Sequence, residues 1–157
     1  MNVQPQSEHK WLEQFVGEWT SEMEGSGGPD QPPVKHIGTE TVRSLTVWVQ
    51  FDGIMPGDVE MKTVMTLGYD PAKKKFIGTF IGSMMTHLWV YEGELDASGK
   101  VLTLDAEGPS FTDVTKMAKY KDTIEIISPD HRTLSSRFQA EDGTWHHFMT
   151  AHYRRKV

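Results

Sequence analysis

The chain of 157 residues contains no cysteine, which removes disulfides, zinc–thiolate centres and thiol catalysis from consideration. A reducing compartment is compatible with that, and the N-terminal MNVQPQSEHKW has no apolar stretch of the kind a secretory leader needs. No window approaches the roughly 20 apolar residues of a membrane-spanning helix, so the expected location is cytoplasmic, with no membrane partner. Positive charge is scarce as well: 16 Lys and Arg stand against 22 Asp and Glu, a net charge of −6. The basic runs, Lys73-Lys74-Lys75 and Arg154-Arg155-Lys156, read as a hairpin turn and a solvated end. Nucleic acid is not an expected partner.

Helix signals are few. Ser7 can cap a short helical turn over 9–14 that brings Trp11, Leu12 and Phe15 onto one side, and Gly17 stops it. Residues 1–7 read as a flexible N-terminal segment, and 1–157 as one domain. The rest alternates. An extended segment over 35–51 is followed by a loop over 53–58 containing Pro56. Then strands at 61–69, 76–82, 87–95, 101–107, 120–127, 133–139 and 144–154 follow one another through short turns such as Asp70-Pro71-Ala72 and Asp96-Ala97-Ser98-Gly99. Short strands joined in sequence form an antiparallel meander. A meander of nine or so strands leaves two raw edges unless it closes. With one short helix to cover an open face, an all-β up-and-down barrel is expected, with a sandwich as the alternative.

What is present sharpens this. In Gly17-Glu18-Trp19 the largest side chain stands at the start of the first strand, where it can plug one end of a barrel. That opening resembles the calycins, the superfamily of lipocalins and fatty-acid-binding proteins. The resemblance implies a basic residue of the last strand packed across the indole. Arg155 is the expected partner, in a cation–π contact worth on the order of 1–2 kcal/mol when desolvated. The wider pattern is His9-x-Trp11-Leu12, Thr66-Leu67-Gly68-Tyr69-Asp70-Pro71, Ser83-Met84-Met85-Thr86, Gly93-Glu94-Leu95-Asp96, Asp142-Gly143-Thr144-Trp145 and Tyr153-Arg154-Arg155-Lys156. It resembles the DUF1579 family along nearly the whole chain. This implies a lipocalin-like barrel and no particular reaction. Where the family carries an acid before the Ser-Met pair, this chain has Gly82, so no role of that acid transfers.

Period-two alternation sorts the strands into faces. Met61, Thr63, Met65, Leu67 and Tyr69 form one candidate inner face; His87, Trp89, Tyr91, Gly93 and Leu95, another. Leu102, Leu104 and Ala106 form a third, Ala118, Tyr120, Asp122, Ile124 and Ile126 a fourth, and Trp145, His147, Met149, Ala151 and Tyr153 the last. The expected ligand-binding residues are therefore Met65, Trp89, Tyr91, Tyr120, Asp122, His147 and Met149, taking a small apolar molecule without catalysis. Trp19 and Arg155 form the floor. No cofactor is expected.

Two other function classes compete. An enzyme of cyclase, isomerase or decarboxylase type would use Asp122 with His147 or Tyr120 as an internal acid–base pair. Against it stands the reading that Asp122 pairs with an arginine, Arg137 or Arg43, and orders the strands. A protein-interaction module would instead use an outer sheet face. Serine-nucleophile and phosphate-loop motifs are missing. His146 and His152 share a face but lie about 20 Å apart along an extended strand, so they cannot chelate one ion. A cross-strand metal site of His87, His147 and a carboxylate is the remaining arrangement, and no metal is expected.

Overall fold

The computed structural model describes residues 3–26 and 32–157. A helix α1 (Ser7–Leu12) runs into a 3-10 turn (Glu13–Phe15). Ten strands follow: β1 (Gly17–Ser26), β2 (Pro33–Ser44), β3 (Trp48–Met55), β4 (Met61–Asp70), β5 (Lys75–Gly82), β6 (Trp89–Leu95), β7 (Val101–Pro109), β8 (Met117–Ser128), β9 (His131–Gln139) and β10 (Trp145–Arg155). Each pairs antiparallel with its sequence neighbour, and β10 returns to β1, so the sheet is a closed barrel. Closure removes both raw edges, and the sandwich alternative falls.

Three local expectations need correction. Gln6, not Ser7, is the helix N-cap. The His9 Nδ1 accepts the Gln6 backbone N–H at 2.9 Å, which leaves the ring proton on Nε2, to be donated to the Tyr69 carbonyl at 3.0 Å. One imidazole thus fixes both the cap and the seat of the helix on β4. Second, the stretch read as one strand over 35–51 is two. The chain reverses after Ser44 through Thr46, which adopts a φ of 69°, with the Leu45 N–H donating to Trp48 at 2.8 Å. No Gly, Pro or Asn marks that turn. Third, β3 runs on to Met55, so Gly53 belongs to the barrel wall and not to a loop. The Gly- and Pro-rich stretch over 25–33 reads from its sequence as a flexible connection; its residues 27–31 lie outside the described residues, as do residues 1–2.

The core sits at the helix end. Leu12, Phe15, Trp19, Val49, Phe51, Leu67, Leu102, Leu104 and Ile124 are its largest fully buried side chains. The registers place Trp19 opposite Arg155 and Glu40, Phe51 opposite Met65, and Leu104 opposite Asp122, so all of these face inward.

Candidate functional site

One end of the barrel is stoppered. The Trp19 indole donates to the Phe15 carbonyl at 2.8 Å and is 2 % exposed. The Arg155 guanidinium lies 4.2 Å from its centroid and donates to Val16, Gln14 and Pro129 carbonyls at 2.8, 2.9 and 3.2 Å. Gly17 explains the spacing of the Gly-x-Trp motif. Its φ is +140°, and a Cβ there would stand 2.4 Å from Arg155 Nη1, so any side chain would evict the guanidinium.

A second arginine, which sequence reading missed, covers the inner side. Arg132 on β9 is 3 % exposed and pairs with buried Glu40 on β2, reaching over Tyr153 and Trp19, whose centroids lie 4.0 and 4.7 Å away. Trp19 is therefore held between two guanidinium groups. Among the described residues the Arg132 Nε has no hydrogen-bond partner. Burial pushes the Glu40 carboxyl up, against the pull of Arg132.

Beyond this plug lies a second polar group. Asp122 on β8 accepts hydrogen bonds from the Tyr91 hydroxyl on β6 and from the Ser136 hydroxyl on β9, the latter at 2.6 Å. Tyr91 reaches Asp122 across β7, where Leu104 stands opposite Asp122 and the small Ala106 opposite Tyr120. Burial raises the Asp122 carboxyl above its ordinary value, and the Ser136 and Tyr91 donors offset part of that rise. The Tyr91 hydroxyl is pushed well above its own ordinary value by burial and then by the Asp122 charge. Tyr153 is raised too, by burial first and then by Glu40, with Asp122 adding to it. The expected pairing of Asp122 with an arginine does not occur. Arg137 stands opposite His147 and Lys121 on the outer face, and Arg43 lies 3.9 Å from Asp52. Period two puts Arg137 one residue out of phase with Ser136, the inward position.

Toward the other end the inner face keeps accessible surface. Met23, His36, Met55, Thr63, Phe80, Trp89 and Met149 are half-buried, in contrast to the sealed floor. Trp89 lies over Gly108, where a Cβ would meet its ring at 2.2 Å, and its N–H points to Met85 Sδ at 3.0 Å. The Tyr120 hydroxyl donates to the Pro109 carbonyl, and its ring packs edge-on to Trp89 at 4.8 Å. At the rim, a cleft of about 680 Å³ opens between the β7–β8 loop and the β9–β10 hairpin, over Phe111, Phe138 and Phe148. Another, of about 830 Å³, marks the outer wall where β6 and β7 diverge, beside His87, Val90 and Trp145.

Of the seven expected wall residues, Met65, Tyr91, Asp122, Met149 and, at the rim, Trp89 have the inward phase. Tyr120 is inward but has its hydroxyl engaged by Pro109. His147 is a correction. A bulge at Phe148 interrupts the β9–β10 register between His147 and Met149, and the extra residue shifts the alternation by one. His147 is exposed on the outer face, its Nε2 2.6 Å from the Thr150 hydroxyl. Trp145 is turned outward with it, under Lys121 at 5.3 Å. His146 takes the inward phase at the rim, stacked on Phe138 at 5.4 Å.

The trio Asp122, His147 and Tyr120 therefore does not meet in one place. Nor does the His87–His147 metal arrangement form: His87 Nε2 donates to the Glu107 carbonyl at 2.9 Å. Among the described residues no group of three His, Cys, Asp or Glu is placed to hold a metal ion, and no helix is long and apolar enough to cross a membrane.

Comparison with known proteins adds the following. A family model described as "Protein of unknown function (DUF1579)" matches residues 4–155. No curated protein matches the sequence. Among solved structures, the crystal structure of Rv2717c from M. tuberculosis superposes with a TM-score of 0.63 at 11% identity, covering 98% of this chain and 100% of that one. The structure of EF1p2_mFAP2b bound to DFHBI superposes at 0.45 with 12% identity, covering 96% and 100%. The first likeness shows a shared fold and nothing of activity. The second is too distant to carry an argument.

Proposed function

Because the chain belongs to the DUF1579 family, whose description names no activity, we propose its role from the barrel itself: non-enzymatic binding of a small, largely apolar molecule in the open half. The observation that supports this is the asymmetry of burial. At the helix end Leu12, Phe15, Trp19 and Leu102 are sealed, while at the other end inner-face Met23, Met55, Phe80, Trp89 and Met149 keep accessible surface. A barrel packed for stability alone would close both ends. Burial of a ligand against these groups supplies roughly 25 cal/mol per Å² before association costs. Methionine thioethers can repack around different shapes, and the Asp122–Tyr91–Ser136 group gives the ligand one polar point of reference.

The enzyme reading keeps Asp122 but loses His147 to the outer face, and the Tyr120 hydroxyl is engaged by the Pro109 carbonyl. The test is a thermal-shift panel of small apolar molecules against the wild type and Met149→Trp, which fills the chamber from β10. A ligand at a hundredfold excess over its Kd stabilises by about 2.7 kcal/mol, roughly 5–10 °C in Tm for a chain of this size. The expected result is such a shift in the wild type and its loss in Met149→Trp. A panel without a shift, or a shift untouched by the tryptophan, would contradict the proposal.

A further inference from the structure

Asp122 is an unbalanced charge. Arg132 is matched by Glu40. Among the described residues, by contrast, no Lys, Arg or His forms an ion pair with Asp122, whose two oxygens are held by the neutral hydroxyls of Tyr91 and Ser136. A carboxylate has about four acceptor sites, so both oxygens retain capacity after those bonds. Asp122 is also half-buried and not sealed, and so is Tyr153 behind it, whose hydroxyl makes no hydrogen bond among the described residues. The walls nearby carry thioethers and aromatic faces: Met65, Met149, Trp89 and Tyr120. Soft sulfur and ring faces accept a cation more readily than an anion. With all three charged, the group formed by Glu40, Arg132 and Asp122 carries one net negative charge, which opposes a carboxylate-bearing guest at Asp122.

We infer that the chamber selects a small apolar molecule ending in a basic nitrogen, an alkyl- or arylalkylamine. Its ammonium docks on Asp122 within reach of Tyr153, and its body lies along Met65, Met149 and Trp89. The ligand supplies the countercharge that the fold withholds. Fatty acids and other apolar anions are disfavoured by the same arrangement, because an added carboxylate would face the Asp122 charge while the Arg132 guanidinium is already paired with Glu40. This inference deepens the binding reading and rests on it.

A matched set separates the two. Affinities of the wild-type protein for p-butylbenzylamine, p-butylbenzyl alcohol and p-butylbenzoate are measured by calorimetry at neutral pH. The skeleton is constant and only the head group changes. The expected order is amine first, alcohol next and benzoate last, with the amine ahead of the alcohol on the order of 10- to 100-fold, the range of a charge-assisted hydrogen bond. Asp122→Asn is expected to abolish the advantage of the amine over the alcohol. Alcohol binding as tight as amine binding, or benzoate binding tightest, would overturn the amine selection and leave the binding reading intact. Failure of all three to bind would remove both. The comparison among head groups is made within the wild type, so it decides the matter even if Asp122→Asn does not fold.

Discussion

At the scale of single residues, the two inward-facing acids of the barrel, Glu40 and Asp122, are handled differently. Glu40 has a guanidinium; Asp122 has two hydroxyls. Removing an ion from water is compensated only when charge and hydrogen bonds are both returned to it, and the Tyr91 and Ser136 donors return the second alone. The consequence is a stability that depends on pH in a definite direction. A carboxyl raised on folding binds its proton more tightly in the native state, so its contribution is complete below the unfolded value, 3.8 for an aspartate, and is lost as pH rises through the higher folded value. Each unit of the rise removes about 1.4 kcal/mol at neutral pH. Urea unfolding of the wild type and Asp122→Asn between pH 3 and pH 8, roughly the span over which a raised carboxyl titrates, isolates this term, since Glu40 is common to both. The variant is expected to gain on the wild type progressively as the pH climbs above 3.8. A difference flat across that range would show that Asp122 is not raised.

The elements explain why some of this was legible and some was not. Alternation alone placed Met65, Leu67, Leu102, Leu104 and Asp122 on inner faces, because β4, β7 and β8 keep unbroken period two through those residues. It failed on β10, where the bulge at Phe148 reverses the phase of everything before it and sends His147 and Trp145 outside. A bulge at a phenylalanine leaves no glycine to announce it. The Thr46 turn was hidden for the same reason. Partner choice was less legible still: Tyr91 and Asp122 are 31 residues apart, Arg132 and Glu40 92, and no local pattern links them. The alternation Arg132, Leu134, Ser136, Phe138 did contain the signal that two polar groups of β9 face inward.

The ladder between β6 and β7 has its own consequence. It pairs only Glu92–Leu95 with Leu102–Asp105, whereas β7 and β8 pair along Val101–Pro109. Above that short ladder the strands are joined by side chains: Trp89 over Gly108, and His87 on the Glu107 carbonyl. Hydrogen exchange is expected to reveal it. Amides of β6 above Glu92 that face β7 should exchange on the order of tenfold faster than those of the β7–β8 ladder at the same height. Equal protection would mean that the wall is continuous there.

For the whole molecule, the fold class followed from what the chain lacks. One short helix cannot cover an open sheet, and consecutive hairpins have no other way to remove their edges than to close. The barrel obtained is closed laterally but unlike at its two ends. α1 and the Trp19 stack between Arg132 and Arg155 seal one, and the other keeps accessible methionines and aromatics around an unmatched acid. The net charge of −6 favours encounter with cations over anions at long range as well. On the proposed reading, stability and binding divide along the barrel axis, with the sealed half bearing the packing and the open half accepting the guest.

The chain carries its own reporters of that division. Met23, Met65 and Met149 lie on inner faces of the barrel, whereas Met84 and Met117 are exposed outside the core. The most direct measurement is a titration of the methionine ε-methyl resonances by proton–carbon NMR as p-butylbenzylamine is added. The account predicts that Met23, Met65 and Met149 shift together and saturably while Met84 and Met117 stay in place. Shifts confined to Met84 or Met117, with the three interior methyls unmoved, would contradict it.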